Sequence, residues 1–265
     1  MNLVAGKKIA EDISLTVALS VGELTTPLRL AVITCDPNFE TKKYLALKKE
    51  KAHNLGIDLE VVELKATATT EDVLKAIEVA AKAYAGIIVQ LPLPSTIDTN
   101  QVIAAIPVTH DVDAFGYESG KVAILPPVVG AIAEISKLHQ LDWQGKRVVI
   151  FGSGRLVGAP AACYAKQQGA LVKVITETTP DAAAVAQADI IILGVGKPGL
   201  LVPEAVKDGV VVFDAGASED GGLLAGDADP KVALKASLFT PVPGGIGPIT
   251  VALLFRNLLE LSQKG

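Results

Sequence analysis

At 265 residues the chain is long enough for two domains, and half of it is hydrophobic with only 4 % aromatic content, so its cores must be aliphatic. A net charge of -5 excludes the basic face that a nucleic-acid binder needs. No stretch reaches the length of a membrane span, no secretory leader is visible, and Cys35 and Cys163 have neither metal-type nor disulfide-framework spacing, so a soluble cytoplasmic protein in a reducing compartment is expected.

Short β-branched runs alternate with helical patterns, the signature of βαβ units. A helix is expected over 6–21, a strand over 28–34, and a helix over 40–55 stopped by Gly56. A strand over 58–64 follows, then a helix over 70–83 with its cap at Thr70, and a strand over 86–90 that stops at Pro92 and Pro94. A short helix over 99–105 leads into a loop over 107–127 and a helix over 128–139. After a polar turn at 141–145 come strand 147–151, helix 156–168, strand 171–176, helix 179–187, strand 190–193 and strand 210–214. A hydrophilic excursion over 218–226 and a last helix over 249–263 complete the series.

The fold class expected is therefore α/β in two domains. An N-terminal catalytic domain over 1–140 receives the C-terminal helix 249–265 back onto itself. A Rossmann-like parallel sheet over 141–248 binds a dinucleotide, with a cleft between the domains.

The dinucleotide signal is a strand, a glycine turn and a helix start from Val148 to Pro160. Gly152 permits the tight turn, Gly154 lets backbone approach a pyrophosphate, and Gly158 allows close helix packing. The helix start offers N–H groups and a positive dipole end to phosphate. Ser153, Arg155 and Val157 complete the turn. The spacing is one residue longer than the common fingerprint, and a plain packing turn is the alternative. Glu177 follows the second strand, about 20 residues on from the turn, where an acid holds the ribose hydroxyls of NAD and repels the 2′-phosphate of NADP. An ordinary solvated charge at a strand end is equally compatible. Gly194 and Gly196 in one loop and Gly216 in another lie at strand C-terminal ends, as cofactor contacts or as plain turns.

In the first domain, Thr41, Tyr44, Lys48 and Lys51 recur at helical spacing and share one face, with Leu45, Leu47 and Leu55 available to bury the other. A solvated lysine-rich helix is the bland alternative. Gln90 is a polar amide at the end of a buried strand. Asp111 and Asp113 stand in a loop, and with no His or Cys spaced to complete a metal site, one acid for ligand orientation is the better reading. The segment from Pro241 to Thr250 combines rigidity with glycines at 244, 245 and 247 that let backbone approach a ring closely.

These pieces resemble the bifunctional methylenetetrahydrofolate dehydrogenase/methenyltetrahydrofolate cyclohydrolase family, often called the FolD family. The resemblance runs almost end to end. Its most specific parts are Gly86 to Pro94, the Tyr44 and Lys48 pair, Asp111-Val112-Asp113, and Pro243 to Thr250. It implies NAD(P)-dependent oxidation of 5,10-methylenetetrahydrofolate and hydrolysis of the methenyl product to 10-formyltetrahydrofolate, by a homodimer. Lys48 would be the key hydrolytic residue, positioned by Gln90. Tyr44 would stack on the folate, Asp113 would bond the pterin edge, and Thr41 would support them. Pro243, Gly244 and Gly245 would line the substrate, with Gly245 and Thr250 also near the cofactor.

The departures bear on the cofactor. The family's Gly-Arg-Ser turn is Gly152-Ser153-Gly154 here, and its His-Ser after the second strand is Thr176-Glu177, both leaning toward NAD rather than NADP. The family's Thr-Pro is Pro126-Pro127-Val128, its Asp-Gly is Asp113-Ala114, and the loop before Thr41 is longer by Asn38-Phe39-Glu40. A member keeping one activity, or a different small-substrate dehydrogenase, is the alternative enzyme. A binding module without catalysis is opposed by the joint retention of Tyr44, Lys48, Gln90 and Asp113.

Overall fold

The computed structural model describes residues 2–220 and 223–264, and leaves the side chains of Asn2, Phe39, Glu40, Lys43, Tyr44, Glu219, Asp220 and Leu223 undescribed. In chain order the elements are β1 (Asn2–Leu3), α1 (Gly6–Gly22), β2 (Arg29–Cys35), α2 (Phe39–Asn54), β3 (Asp58–Leu64), α3 (Thr70–Ala81), β4 (Gly86–Val89) and α4 (Thr99–Ala104). They continue with α5 (Pro127–Leu138), β5 (Arg147–Phe151), α6 (Gly158–Gln167), β6 (Leu171–Ile175), α7 (Ala182–Gln187), β7 (Ile190–Leu193) and β8 (Val211–Asp214). The hairpin β9 (Ser218–Asp220) and β10 (Leu223–Ala225), the strand β11 (Leu238–Phe239) and α8 (Ile246–Ser262) complete the chain.

The chain divides into two compact units, one of residues 1–10 and 126–250 and the other of residues 11–125 and 251–265. The division falls at Pro126 rather than at 141 because α5 packs on α6. It also carries the N-terminal residues into the unit of 126–250, where β1 pairs in parallel with β11.

The unit of 11–125 and 251–265 is a parallel sheet in the order β3-β2-β4. Alternation along β2 sorts its side chains to two cores, as period-two geometry requires. Leu30 and Val32 face Leu45, Ala52 and Leu55 of α2 and Phe255 and Leu258 of α8. Ala31 and Ile33 face Val73, Ile77 and Ala80 of α3 and Val102 of α4. Helix α3 is capped by Thr69, one residue earlier than expected, in a reciprocal capping box with Asp72.

The unit of 1–10 and 126–250 is a parallel sheet in the order β1-β11-β8-β7-β5-β6. Strands β7 and β8 are buried throughout, and both read as apolar runs but for Asp214 at the end of β8. Trp143 stacks on Phe213 at 6.1 Å and meets Tyr164 edge-on at 5.5 Å.

Several expectations need correction. Helix α6 begins at Gly158 rather than 156, because Leu156 and Val157 belong to the turn. Helix α7 begins at Ala182, where Asp181 caps it, rather than at 179. Helix α8 begins at Ile246, inside the glycine–proline segment rather than after it, and Pro248 is tolerated there as a first-turn residue. The hydrophilic excursion is the β9–β10 hairpin. Strands β1 and β11 are two residues each, too short to show periodicity.

Candidate active site

Helix α2 starts at Asn38, whose side chain accepts a hydrogen bond from the Thr41 N–H at 2.8 Å. Its buried stripe is Leu45, Lys48, Ala52 and Leu55, spaced as one helical face. Lys48 therefore lies on the packed stripe, only 8 % exposed, rather than opposite the leucines. Leu47 is the exposed one, turned about 200° from Leu45, and the expectation that it packs is wrong. Thr41 is half-buried near the start of the helix. Tyr44 is helical, but its side chain lies outside the described residues.

A buried amine requires polar partners. Lys48 donates from Nζ to Gln90 Oε1 at 3.0 Å. Gln90 is half-buried immediately after β4, its backbone N–H donating to the Ile33 carbonyl of β2 at 2.8 Å. Its Nε2 donates to the Leu91 carbonyl at 2.9 Å, which fixes the amide so that the oxygen faces the lysine. Burial pushes the Lys48 pKa down, and the Asp113 charge works against that. Burial raises the Asp113 carboxyl to about 6; Lys48 pulls it back, and Asp111 pushes it further up. Asp111 is itself raised by burial, with backbone N–H groups of Gly116, Phe115 and Ala114 opposing. Its Oδ2 accepts from the Gly116 N–H at 3.1 Å, while Oδ1 is buried without a partner.

The loop carrying these acids is pinned from two sides. Ile87 of β4 donates to the His110 carbonyl at 2.8 Å. Asn257 of α8, itself buried, donates to the carbonyls of Val112 at 3.0 Å and Leu125 at 2.9 Å. Asn257 was not anticipated from sequence; its signal was a lone amide among leucines. Ala114 takes φ +56, the left-handed region, at the position where the family pattern has glycine.

In the other unit, β5 ends at Phe151 and Gly152 turns with φ +80, its N–H bonded to the Ile175 carbonyl at 2.8 Å. A Cβ on Gly158 would collide with the Gly152 carbonyl, so the helix can start this close to the turn only with glycine there. No side chain caps the N-terminus of α6; its Ala159 and Ala161 N–H groups donate to the carbonyls of Gly154 at 3.1 Å and Val157 at 2.9 Å, and the turn residues Ser153, Gly154 and Arg155 are exposed. A Cβ on Gly154 would meet nothing, so the backbone there is open to a ligand.

Of the other glycines, Gly194 faces Val157, Gly216 faces the Asp227 carboxyl, and Gly245 faces Thr240, so protein packing alone accounts for all three. Gly196, at φ +74, is exposed. Pro243 is exposed, Gly244 is half-buried, and the Thr250 hydroxyl donates to the Gly247 carbonyl at 2.7 Å within the first turn of α8. Glu177 stands exposed beyond β6 and forms an ion pair with Lys197.

Sequence reasoning missed the scaffold behind these loops. Asp227, fully buried, accepts from the N–H groups of Val195 at 2.7 Å, Gly196 at 3.2 Å and Lys197 at 2.6 Å. Asp214, also buried, accepts from Gly216 at 2.9 Å, Asp227 at 3.2 Å and Ala228 at 2.9 Å. Burial raises Asp214 to about 6, against those three N–H groups, and the Asp227 charge adds to the rise. Thr240 accepts the Asp214 N–H at 2.6 Å. Nothing in spacing marks such residues, because each acts on a segment distant in sequence.

The arrangement defines a class: one α/β unit with a glycine turn and an uncapped helix start suited to a dinucleotide, and another with a buried lysine, amide and carboxylate cluster. Comparison with known proteins then gives the family. The tetrahydrofolate dehydrogenase/cyclohydrolase catalytic domain matches residues 4–113, and the NAD(P)-binding domain of the same family matches residues 126–265. The bifunctional protein FolD of Aliarcobacter butzleri is 38 % identical over 279 residues, covering 99 % of this chain and 97 % of its own. That of Staphylococcus carnosus is 36 % identical, covering 98 % of this chain and 95 % of its own. The crystal structure of the bifunctional FolD enzyme from Campylobacter jejuni has a TM-score of 0.94 at 32 % identity, with 100 % and 99 % coverage. The FolD enzyme of Trypanosoma brucei, solved with NADP and an inhibitor, has a TM-score of 0.92 at 30 % identity, with 99 % and 97 % coverage. The chain belongs to the tetrahydrofolate dehydrogenase/cyclohydrolase family.

Proposed function

We propose that this enzyme oxidises 5,10-methylenetetrahydrofolate with a nicotinamide dinucleotide and hydrolyses the 5,10-methenyl product to 10-formyltetrahydrofolate. The observation that carries the reading is the buried Lys48 amine, held by the Gln90 amide at 3.0 Å and facing the Asp113 charge. When bound, the nicotinamide supplies a hydride acceptor. The glycine turn at 152–158 and the uncapped start of α6 fit the pyrophosphate of such a group. Oxidation then asks for orientation more than for a base, because its product is a delocalised cation. Asp113 supplies that orientation by bonding the pterin edge.

Hydrolysis asks for proton transfer. Water adds to the methenyl cation and loses one proton to give a neutral carbinol. Its hydroxyl then gives up its proton as the carbon–nitrogen bond breaks and the leaving nitrogen takes one up, so that one proton is released overall. An amine with a lowered pKa can be neutral when it accepts and charged when it donates. Lys48 fills that role, and Gln90 aims it. Glu177 favours NAD, since a carboxylate accepts from the ribose hydroxyls and repels a 2′-phosphate. We further infer a cytoplasmic homodimer from the family resemblance. No helix among the described residues is long and apolar enough to cross a membrane.

The test is the Lys48→Met variant in two assays on one preparation. Loss of methenyltetrahydrofolate absorbance is expected to slow by about 10²- to 10⁴-fold, the range for removing a general acid–base. Dinucleotide-linked oxidation is expected to fall far less. Unchanged hydrolysis, or an equal loss of both activities, overturns the assignment of Lys48.

A further inference from the structure

Strand β5 lies between β7 and β6. The loops that follow β6 and β7 therefore flank the glycine turn that follows β5, and one charged side chain from each meets the other: Glu177 from the β6 side and Lys197 from the β7 side. Both backbones are fixed. Thr176 caps its own turn, accepting and donating with the hydroxyls of Thr178 at 3.0 Å and Thr179 at 2.8 Å, with Glu177 within that turn. Lys197 is tied through its N–H to the buried Asp227 at 2.6 Å. Only the two side chains are free to rearrange. Both are more than half exposed, at 76 % and 58 %, so the pair is cheap to break.

Lys197 has no role in the function proposed above. Its placement gives it one. A lone Glu177 at this corner would repel a 2′-phosphate, but its repulsion is partly cancelled by the ammonium against it. Conversely, Lys197 is a phosphate-binding cation in waiting whose charge Glu177 occupies. We propose that Glu177 and Lys197 together select the dinucleotide: Glu177, steadied by Lys197, takes the ribose diol of NAD, and Lys197 becomes a 2′-phosphate site whenever Glu177 is neutralised. This rests on the reading of the 152–158 turn as a dinucleotide site.

The experiment measures kcat/KM for NAD and NADP, and calorimetric binding of adenosine 2′,5′-bisphosphate, on the wild type, E177Q, K197A, E177Q/K197A and E177Q/R155A. All three positions are exposed, so the variants are expected to fold. Wild type is expected to prefer NAD at least tenfold. E177Q should lose NAD efficiency, gain NADP efficiency at least tenfold, and bind the bisphosphate more tightly by a similar factor. Adding Lys197→Ala should erase the NADP gain without restoring NAD, while adding Arg155→Ala should leave most of it. K197A alone should weaken NAD modestly, since Glu177 loses its partner, and should not gain NADP.

An NADP gain that survives Lys197→Ala and vanishes with Arg155→Ala overturns the proposal in favour of Arg155. So does an E177Q variant with unchanged preference, or a wild type that prefers NADP. Failure of wild type to bind either dinucleotide would overturn the dinucleotide reading itself, an outcome distinct from the others.

Discussion

Each unit sets a pair of aspartates near the C-terminal ends of its strands, all buried but the half-buried Asp113, and the two pairs are treated differently. In the unit with the glycine turn, Asp214 and Asp227 share six backbone N–H donors, from Gly216, Asp227 and Ala228 and from Val195, Gly196 and Lys197. Their carboxylates are spent on holding loops. In the other unit, Asp111 uses one oxygen on Gly116 and leaves the second unpartnered, and Asp113 is governed by burial and by the charges of Lys48 and Asp111. Burial raises Asp113 and Asp214 alike to about 6. What separates the pairs is therefore not the degree of perturbation: every carboxylate oxygen of Asp214 and Asp227 accepts a backbone N–H, whereas Asp111 keeps a buried oxygen without a partner and Asp113 feels the Lys48 charge.

The largest effect expected on this contrast is at Asp227. Asp227→Asn turns one amide nitrogen toward N–H groups that need an acceptor, at a cost of about 1.5–3 kcal/mol from a bond to a charged group. Hydrogen exchange of the Val195, Gly196 and Lys197 amides should lose protection together, and denaturant unfolding of that unit should shift. Retained protection would mean that the carboxylate is not what holds the loop.

Asp113→Asn should act through pH instead. The folded carboxyl is raised to about 6 from the ordinary 3.8, so between those values the folded protein binds more protons than the unfolded one. Stability must fall as pH rises through that window, by up to roughly 3 kcal/mol for this group. The variant should lose that slope and be more stable than wild type at pH 7, while Asp214 continues to contribute its own. Denaturation curves at pH 4 and pH 7 decide it, and an unchanged slope would show that Asp113 is well solvated.

The smallest expected change sharpens the lysine side. Gln90→Glu puts a carboxylate at the 3.0 Å contact and favours the charged form of Lys48. The limb of the hydrolysis pH profile that reports Lys48 should move toward alkali by about one unit, with oxidation little affected. A shift toward acid would mean that the limb belongs to another group.

The site was legible where its chemistry sits in local patterns. The strand, glycine turn and helix around Gly152 to Gly158 could be read directly because each glycine answers a local steric demand. Lys48 and Gln90 could be picked out as a lysine at helical spacing and an amide at a strand end. That they meet could not be read, since they are 42 residues apart and only the pairing of β2 with β4 brings α2 to that strand end. Leu47 lies on the exposed side of α2 and Lys48 on the packed stripe with Leu45, a sorting that helical spacing alone leaves open.

The sequence by itself determined the two α/β series, the dinucleotide-type turn and the family, since hydrophobic period and glycine placement are local properties written residue by residue. Only the tertiary structure decided that Lys48 is buried, that Asn257 pins the aspartate loop, that Asp227 holds the loop of Lys197, and that Lys197 meets Glu177. Those are contacts between segments far apart in the chain, and their energies depend on desolvation and on donor geometry, neither of which exists until the chain is packed.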